Sequence, residues 1–377
     1  MSTDQRTRAW VDVSARALRE NYRQVQETAG EGVRVIPMVK ADAYGLGMTQ
    51  CVKALEPLDP WGYGVAAVEE GVRLRELGIS RPVVVLSPVP PGSFLHAVKA
   101  RLSVSVGELG ALARLRDAAR TAGLPGRFHL EVDTGMGRAG FDWHRAGDWA
   151  SQVEALLGPP LEWEGCHTHF HSADSSDPEP TSLQWRRLMG VLEILPSRPK
   201  GLLLHACNSA GALRRSDLAA DAVRPGIFLY GGAAGEGLPD PTPVASLRAR
   251  IVLIREAVAG STVGYGATYT ARKPEQWATV AVGYGDGLPR LLGNRGEGVV
   301  RGWRVPIIGR VSMDVTVLNV TGVEGVEVGD VVTFFGRDGR EAITLEEVAA
   351  HAQTISNEIL TGLTRRLPRI WTDDGGY

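Results

Sequence analysis

Lys40 closes the apolar run VIPMVK over residues 35–40. An amine at the end of a buried, strand-like segment is partly desolvated. Desolvation lowers a lysine pKa and frees the amine to act as a base or to form a Schiff base with a carbonyl. Lysine is also scarce here: only five of the 41 basic residues are lysine (Lys40, Lys53, Lys99, Lys200 and Lys273). Other apolar runs end in polar groups as well. Residues 133–138 read DTGMGR, 167–171 HTHFH, 205–209 HACNS and 224–226 RPG. His167, His169 and His171 recur at period two, which on a strand places them on one face. Imidazoles at that spacing suit a transition metal, so a metal-dependent barrel hydrolase is the competing reading. That reading needs a further ligand from another strand, for which His205 is the candidate.

Those residues need elements to hold them. Apolar runs at 33–40, 62–67, 83–86, 102–106, 128–132, 161–169, 202–206 and 222–230 alternate with helical patterns. The patterns lie near 49–55, 69–77, 94–99, 108–119, 145–157, 182–195 and 209–214. Eight strand–helix units within about 200 residues predict a (β/α)8 TIM-like barrel. In such a barrel the chemistry sits at the C-terminal ends of the strands, where the polar residues above fall. A doubly wound sheet would carry G-x-G-x-x-G after its first strand, and this chain does not. Glycines and prolines crowd residues 231–243, and short β-like segments then dominate, with helical patterns only near 345–353 and 357–363. The prediction is an N-terminal barrel over 1–235 and a C-terminal, mostly β domain over 236–377. Residues 9–13 read as a strand that fits either, so the segment 1–13 could pair with the β domain.

Composition narrows the partners. The 377 residues are 44% hydrophobic and 22% charged, with a net charge of -2, a globular balance. A chain that relied on phosphate contacts to nucleic acid would be clearly basic. Three cysteines (Cys51, Cys166 and Cys207) are too few for a disulfide scaffold and fit a reducing compartment. The polar N-terminus has no apolar h-region, and the uncharged stretch 82–98 is broken by Pro88, Pro90, Pro91 and Gly92. Neither a secretory signal nor a membrane span is expected, and the expected location is the cytoplasm.

The run VKADAYGLG over 39–47 resembles the pyridoxal phosphate lysine motif of the alanine racemase family. The similarity continues in order through VDTGMGR (132–138), HACNS (205–209), RPGIFLYG (224–231), VGYG (263–266), GYGDG (283–287), GRVSMD (309–314) and RLPR (366–369). The resemblance implies an isomerase that interconverts L- and D-alanine with pyridoxal 5'-phosphate (PLP), supplying D-alanine for peptidoglycan. It implies that Lys40 holds PLP and works as a base on one face of the substrate α-carbon. Tyr265, from the second subunit of a homodimer, would work on the other face, with His169 beside it. Arg224 matches the donor to the pyridine nitrogen, and an arginine leaves that nitrogen unprotonated. Tyr44, Ser209, Gly226, Ile227 and Asn357 match the phosphate side of the cofactor. Arg138 and Met313 match the groups that receive the substrate carboxylate, with Asp314 in support. Asp174, Tyr284, Arg290 and Arg310 match the polar entrance corridor. No metal is implied.

Two positions depart from the family pattern. Where many members carry a carbamylated lysine this chain has Glu131, whose carboxylate is permanent and is expected to pair with Arg138. Where many have a tyrosine this chain has Asn357, which is shorter and keeps a donor and an acceptor. A wider, more polar entrance should admit a hydroxymethyl side chain. Serine should therefore be racemised measurably beside alanine; absence of D-serine at high enzyme concentration would refute this.

Overall fold

The computed structural model describes residues 7–195 and 199–373 and holds two large sheets. The chain starts with strand β1 (Ala9–Ser14) and helix α1 (Ala15–Ala29). Ser14 ends the strand and caps the helix, its Oγ accepting the Ala17 N–H at 3.1 Å. Helix α1 buries Leu18, Tyr22, Val25 and Ala29, one face at three- and four-residue steps.

The barrel follows: β2 (Arg34–Val35), α2 (Lys40–Tyr44), α3 (Met48–Leu55), β3 (Tyr63–Val65), α4 (Val68–Glu76), β4 (Val83–Val85), α5 (Phe94–Lys99), β5 (Ser103–Val106), α6 (Leu109–Ala122), β6 (Gly126–Asp133), a short β7 (Phe141–Asp142), α7 (Ala146–Leu156), β8 (Leu161–His167), α8 (Glu179–Ile194), β9 (Leu203–His205), α9 (Ser209–Arg214) and β10 (Ala222–Val223). The strand order β2-β10-β9-β8-β6-β5-β4-β3 is parallel throughout. Its two ends meet through a Met38–Gly64 bridge, with Val39 N–H donating to Gly64 O at 2.8 Å and Gly64 N–H to Pro37 O at 2.9 Å. These contacts close the eight strands into the expected barrel. Its interior carries Ser105, His129, His167 and His205, all buried, where barrels of this type usually stack branched aliphatics.

The rest of the chain adds β11 (Ala245–Ala257), β12 (Thr262–Val263), β13 (Tyr269–Thr270), β14 (Glu275–Val280), β15 (Glu297–Val300), β16 (Trp303–Pro306), β17 (Thr316–Asn319), β18 (Val331–Asp338), β19 (Glu341–Ile343), α10 (Leu345–His351), α11 (Ser356–Thr361) and β20 (Arg369–Thr372). Strand β11 is the hub of the second sheet, pairing antiparallel with β1, β14 and β18. Strand β1 lies between β11 and β20, so residues 9–13 join the β domain rather than the barrel. Among the described residues, no helix is long and apolar enough to cross a membrane.

Asp286 ties this β domain together. Its carboxylate is fully buried and receives Arg8 at 2.5 and 3.0 Å, Arg366 Nε at 3.2 Å and the Gly283 N–H at 3.1 Å. Arg366 also donates to Asp314 Oδ1 at 2.6 Å. Removing the carboxylate leaves the guanidinium groups of Arg8 and Arg366 without their shared partner. Asp286→Ala should lower unfolding free energy by about 2–3 kcal/mol, read as a shift in denaturant midpoint. A shift below about 0.5 kcal/mol, the level of an ordinary surface change, would contradict this role.

Candidate active site

A cavity of about 840 Å³ opens at the C-terminal ends of the barrel strands. Lys40, Tyr44, Arg138, His169, Asp174, Ser209, Arg224, Gly226, Ile227 and Asn357 all line it. Lys40 is set by an unusual local fold. Ala41, Asp42, Ala43 and Tyr44 all have φ between 52° and 56°, a left-handed turn built without glycine. Each such residue costs roughly 1–2 kcal/mol, so the turn must be held from outside. Glu70 accepts the Ala41 N–H at 2.6 Å and also the Ala66 and Ala67 N–H groups at 2.8 and 3.1 Å. Asp42 Oδ1 accepts the Met48 N–H at 2.8 Å. From the β domain, Arg369 Nε donates to Gly45 O at 2.9 Å and Trp371 Nε1 to Leu46 O at 3.2 Å. Neither the left-handed turn nor the role of Glu70 was visible in the sequence. Burial, then Arg138, and Arg224 lower the Lys40 pKa, while Glu70 acts against them.

Arg224 forms the floor. It is 4% exposed. Nη1 donates to His205 Nδ1 at 2.7 Å and His205 O at 2.9 Å; Nη2 donates to Thr168 O at 2.9 Å and Ala206 O at 3.1 Å. Burial lowers its pKa to about 10, so it stays charged at neutral pH. Ser209 Oγ accepts the Gly226 N–H at 2.8 Å and the Phe228 N–H at 3.5 Å. Tyr44 stacks on Tyr230 with ring centroids 4.6 Å apart. A Cβ at position 226 would lie 2.1 Å from the Tyr44 hydroxyl, so only glycine fits there.

The histidine trio does not share one face. Strand β8 ends at His167, and period two ends with it. His167 points into the barrel and meets Ser105 Oγ at 2.8 Å. His169 turns to the cavity near Arg224, with Nδ1 3.4 Å from Nη2, and His171 is exposed beside Ser172. His205 is committed to Arg224. The fourth-ligand geometry of the metal reading is therefore not assembled from these residues.

Two family models cover the chain: "Alanine racemase, N-terminal domain" matches residues 13–234 and "Alanine racemase, C-terminal domain" residues 244–371. The chain is 37% identical to an alanine racemase of Halothermothrix orenii over 364 residues, 96% of each chain. It is 38% identical to one of Symbiobacterium thermophilum over 378 residues, 98% of this chain and 99% of that one. The chain belongs to the alanine racemase family. Solved alanine racemases agree in fold. That of E. faecalis superposes with TM-score 0.91 at 32% identity, covering 99% and 100% of the two chains. That of Streptomyces coelicolor A3(2) gives 0.91 at 32% identity, covering 98% and 100%.

Six positions that the sequence resemblance leads one to expect at the site stand apart from the cavity: Tyr265, Tyr284, Arg290, Arg310, Met313 and Asp314 are not among its lining residues. They share adjoining loops of the β domain. An added Cβ at Gly266 would lie 3.0 Å from Arg310 Nη1, and one at Gly293 3.0 Å from Arg310 Cα. Tyr284 N–H donates to Ser312 O at 3.0 Å and Gly285 N–H to Met313 O at 2.8 Å. Tyr265 is 69% exposed and Met313 51%. Glu131 also departs from expectation. No hydrogen bond or ion pair joins it to Arg138 among the described residues. Asp133 Oδ1 accepts the Gly135 and Gly137 N–H groups, and this turn carries Arg138 to the exposed rim, while Glu131 stays buried. Burial raises the Glu131 pKa, and Arg224, then Arg138, act against it.

Burial and the Arg224 charge push His129 and His169 down to about 3 and His167 and His205 well below the ordinary range. Each folded pKa lies below the unfolded value of about 6.5. Below that pH the unfolded chain binds more protons, so stability is full above it and falls as pH drops. The slope is up to ~1.4 kcal/mol per pH unit for each histidine. Urea midpoints should fall between pH 7 and 5; a midpoint that stays level would show these imidazoles are not held neutral.

Proposed function

We propose that the chain interconverts L- and D-alanine with PLP as cofactor, and that two copies of the chain build each site. The residues present fit that cofactor. All four Nη hydrogens of Arg224 have protein acceptors. Its Nε–H meets none among the described residues and suits a pyridine nitrogen that carries no proton. Ser209 Oγ already accepts two N–H groups, which leaves its hydroxyl proton for a phosphate oxygen. Lys40, Arg138 and Arg224 give the cavity the positive charge that a phosphate and a carboxylate require. The observation that carries the reading is a lysine of lowered pKa in the same cavity as an arginine whose free donor is Nε–H.

The chemistry supplied by bound PLP is electron withdrawal from the substrate α-carbon, which acidifies its C–H bond. Lys40 Nζ, uncharged more readily than an ordinary lysine, takes or returns the proton on one face. Tyr265 of the partner subunit serves the opposite face, so one proton is removed and one delivered, and the configuration inverts with no net change in protons. Arg138 receives the substrate carboxylate. Arg224 keeps its own proton, so the ring nitrogen gains none and electron withdrawal stays moderate. This favours return of the proton to the α-carbon over longer-lived alternatives. His169, held neutral, adds no charge beside the tyrosine. Met313, Asp314, Tyr284, Arg290 and Arg310 of the β-domain loops belong, in this reading, to the neighbouring copy's entrance, and Asp174 and Asn357 to the entrance on the barrel side. The product would be D-alanine made in the cytoplasm for peptidoglycan.

A shared site has a sharp test. Lys40→Ala and Tyr265→Phe homodimers should each lose nearly all racemisation. After subunit exchange, the mixed dimers contain one intact site, so about a quarter of wild-type activity should return. Borohydride reduction of the wild type should fix PLP on Lys40, seen by peptide mass. If exchange is demonstrated and no activity returns, both residues do not meet across the dimer.

A further inference from the structure

We propose that His129 is a positioning residue for Arg224: it accepts a hydrogen bond from His205 and thereby fixes the imidazole tautomer that the guanidinium needs. The hydrogen bonds form one chain through the barrel interior. Arg224 Nη1 lies 2.7 Å from His205 Nδ1, and His205 Nε2 lies 2.8 Å from His129 Nδ1. His129 and His205 are fully buried and Arg224 nearly so. A guanidinium has donors only, so His205 Nδ1 must present a lone pair. A neutral His205 then carries its proton on Nε2 and donates it to His129 Nδ1. A neutral His129 in turn carries its proton on Nε2. A doubly protonated His205 would face Arg224 donor to donor.

The end of the chain is informative. His129 Nε2 is buried and has no partner. An orphaned buried donor is destabilising, so stability alone does not account for a histidine here. The surroundings are shaped for it. A Cβ at Gly165 would lie 2.3 Å from His129 Nδ1, so glycine at 165 makes the room in which the imidazole lies. The β6–β8 register shifts between Phe128 and His129. His167 stacks on His205 at 4.9 Å with an interplanar angle of 11°, which restricts rotation of that ring. Without the His129 acceptor, His205 is free to move its proton to Nδ1. Arg224 Nη1 then loses an acceptor and the direction of Nε–H is no longer set. The link from Arg224 to a cofactor rests on the proposed racemase reading; the tautomer assignment does not.

The test uses full-length protein labelled with 15N-histidine, with and without PLP. Two-bond 1H–15N spectra should show His205 and His129 as neutral Nε2–H tautomers between about pH 5 and 9. His129→Leu, folded by circular dichroism, should give His205 mixed tautomers. It should also bind PLP about tenfold more weakly, shift the absorption maximum of the bound cofactor and lower kcat more than it raises KM. His129→Asn, whose Oδ1 stands where Nδ1 stood, should restore the His205 tautomer and the absorption maximum. An Nδ1–H or protonated His205 in the wild type overturns the proposal even if the leucine variant fails to fold. So do leucine and asparagine variants that match the wild type. A wild type with the expected tautomers that binds no PLP overturns the racemase reading and leaves the His205–His129 assignment standing.

Discussion

Arg224 is a cation buried in the barrel with no carboxylate in an ion pair with it among the described residues. Burying a charge in this way costs several kcal/mol unless dipoles replace the lost water. Here the dipoles are the carbonyls of Thr168, His205 and Ala206 together with the His205 imidazole. Those carbonyls come from the chain just where β8 and β9 end, so the floor of the cavity depends on strand ends that expose main-chain acceptors. The same charge reaches outward. It depresses the pKa of Lys40 and of four histidines and offsets the effect of burial on Glu131. A polar barrel interior follows from one guanidinium that must stay charged and aimed.

The second constraint is the left-handed turn after Lys40. Backbone strain at a lysine that must face the cavity is tolerable only because neighbours hold it from several directions. Glu70 holds it from within the barrel, and Arg369 and Trp371 hold it from the last strand of the β domain. A Cβ on Gly45 would lie 2.4 Å from Leu360 O, so helix α11 also packs against the turn at backbone distance. The turn that carries Lys40 is thus fastened to both sheets, although it belongs to only one.

The broad plan was legible because it rests on local signals. Eight apolar runs separated by helical patterns carry the barrel, and the glycine- and proline-rich stretch marks where β segments take over. The motif residues around Lys40, Ser209 and Arg224 fall at strand ends, where a barrel presents its chemistry. Other features rest on contacts remote in sequence. Ala41 to Tyr44 carry no glycine to announce positive φ, and the groups that hold the end of this turn are up to 325 residues away. The period of His167, His169 and His171 runs past the end of β8, where alternation has no meaning. His129 is one of four polar residues that alternate along β6, with Arg127, Glu131 and Asp133, and only the order β6-β8-β9 in the sheet shows what it touches. Glu131 and Arg138 are close in sequence, yet the Gly135–Gly137 turn carries the arginine away from the carboxylate.

The threading of the second sheet bears on how the molecule comes into being. Strand β1 pairs with β11 and β20, whose residues follow it by more than 200 and 300 positions. The turn beside Lys40 closes against that same β20. As the chain leaves the ribosome, the barrel strands can pair with one another in order, but the first strand and the lysine turn must wait for the final segment. Contacts of such long range slow folding and leave strand edges open meanwhile. A truncated translation product would contain every barrel strand and still hold the lysine turn from the barrel side alone, so the fully fastened turn is a property of the finished chain.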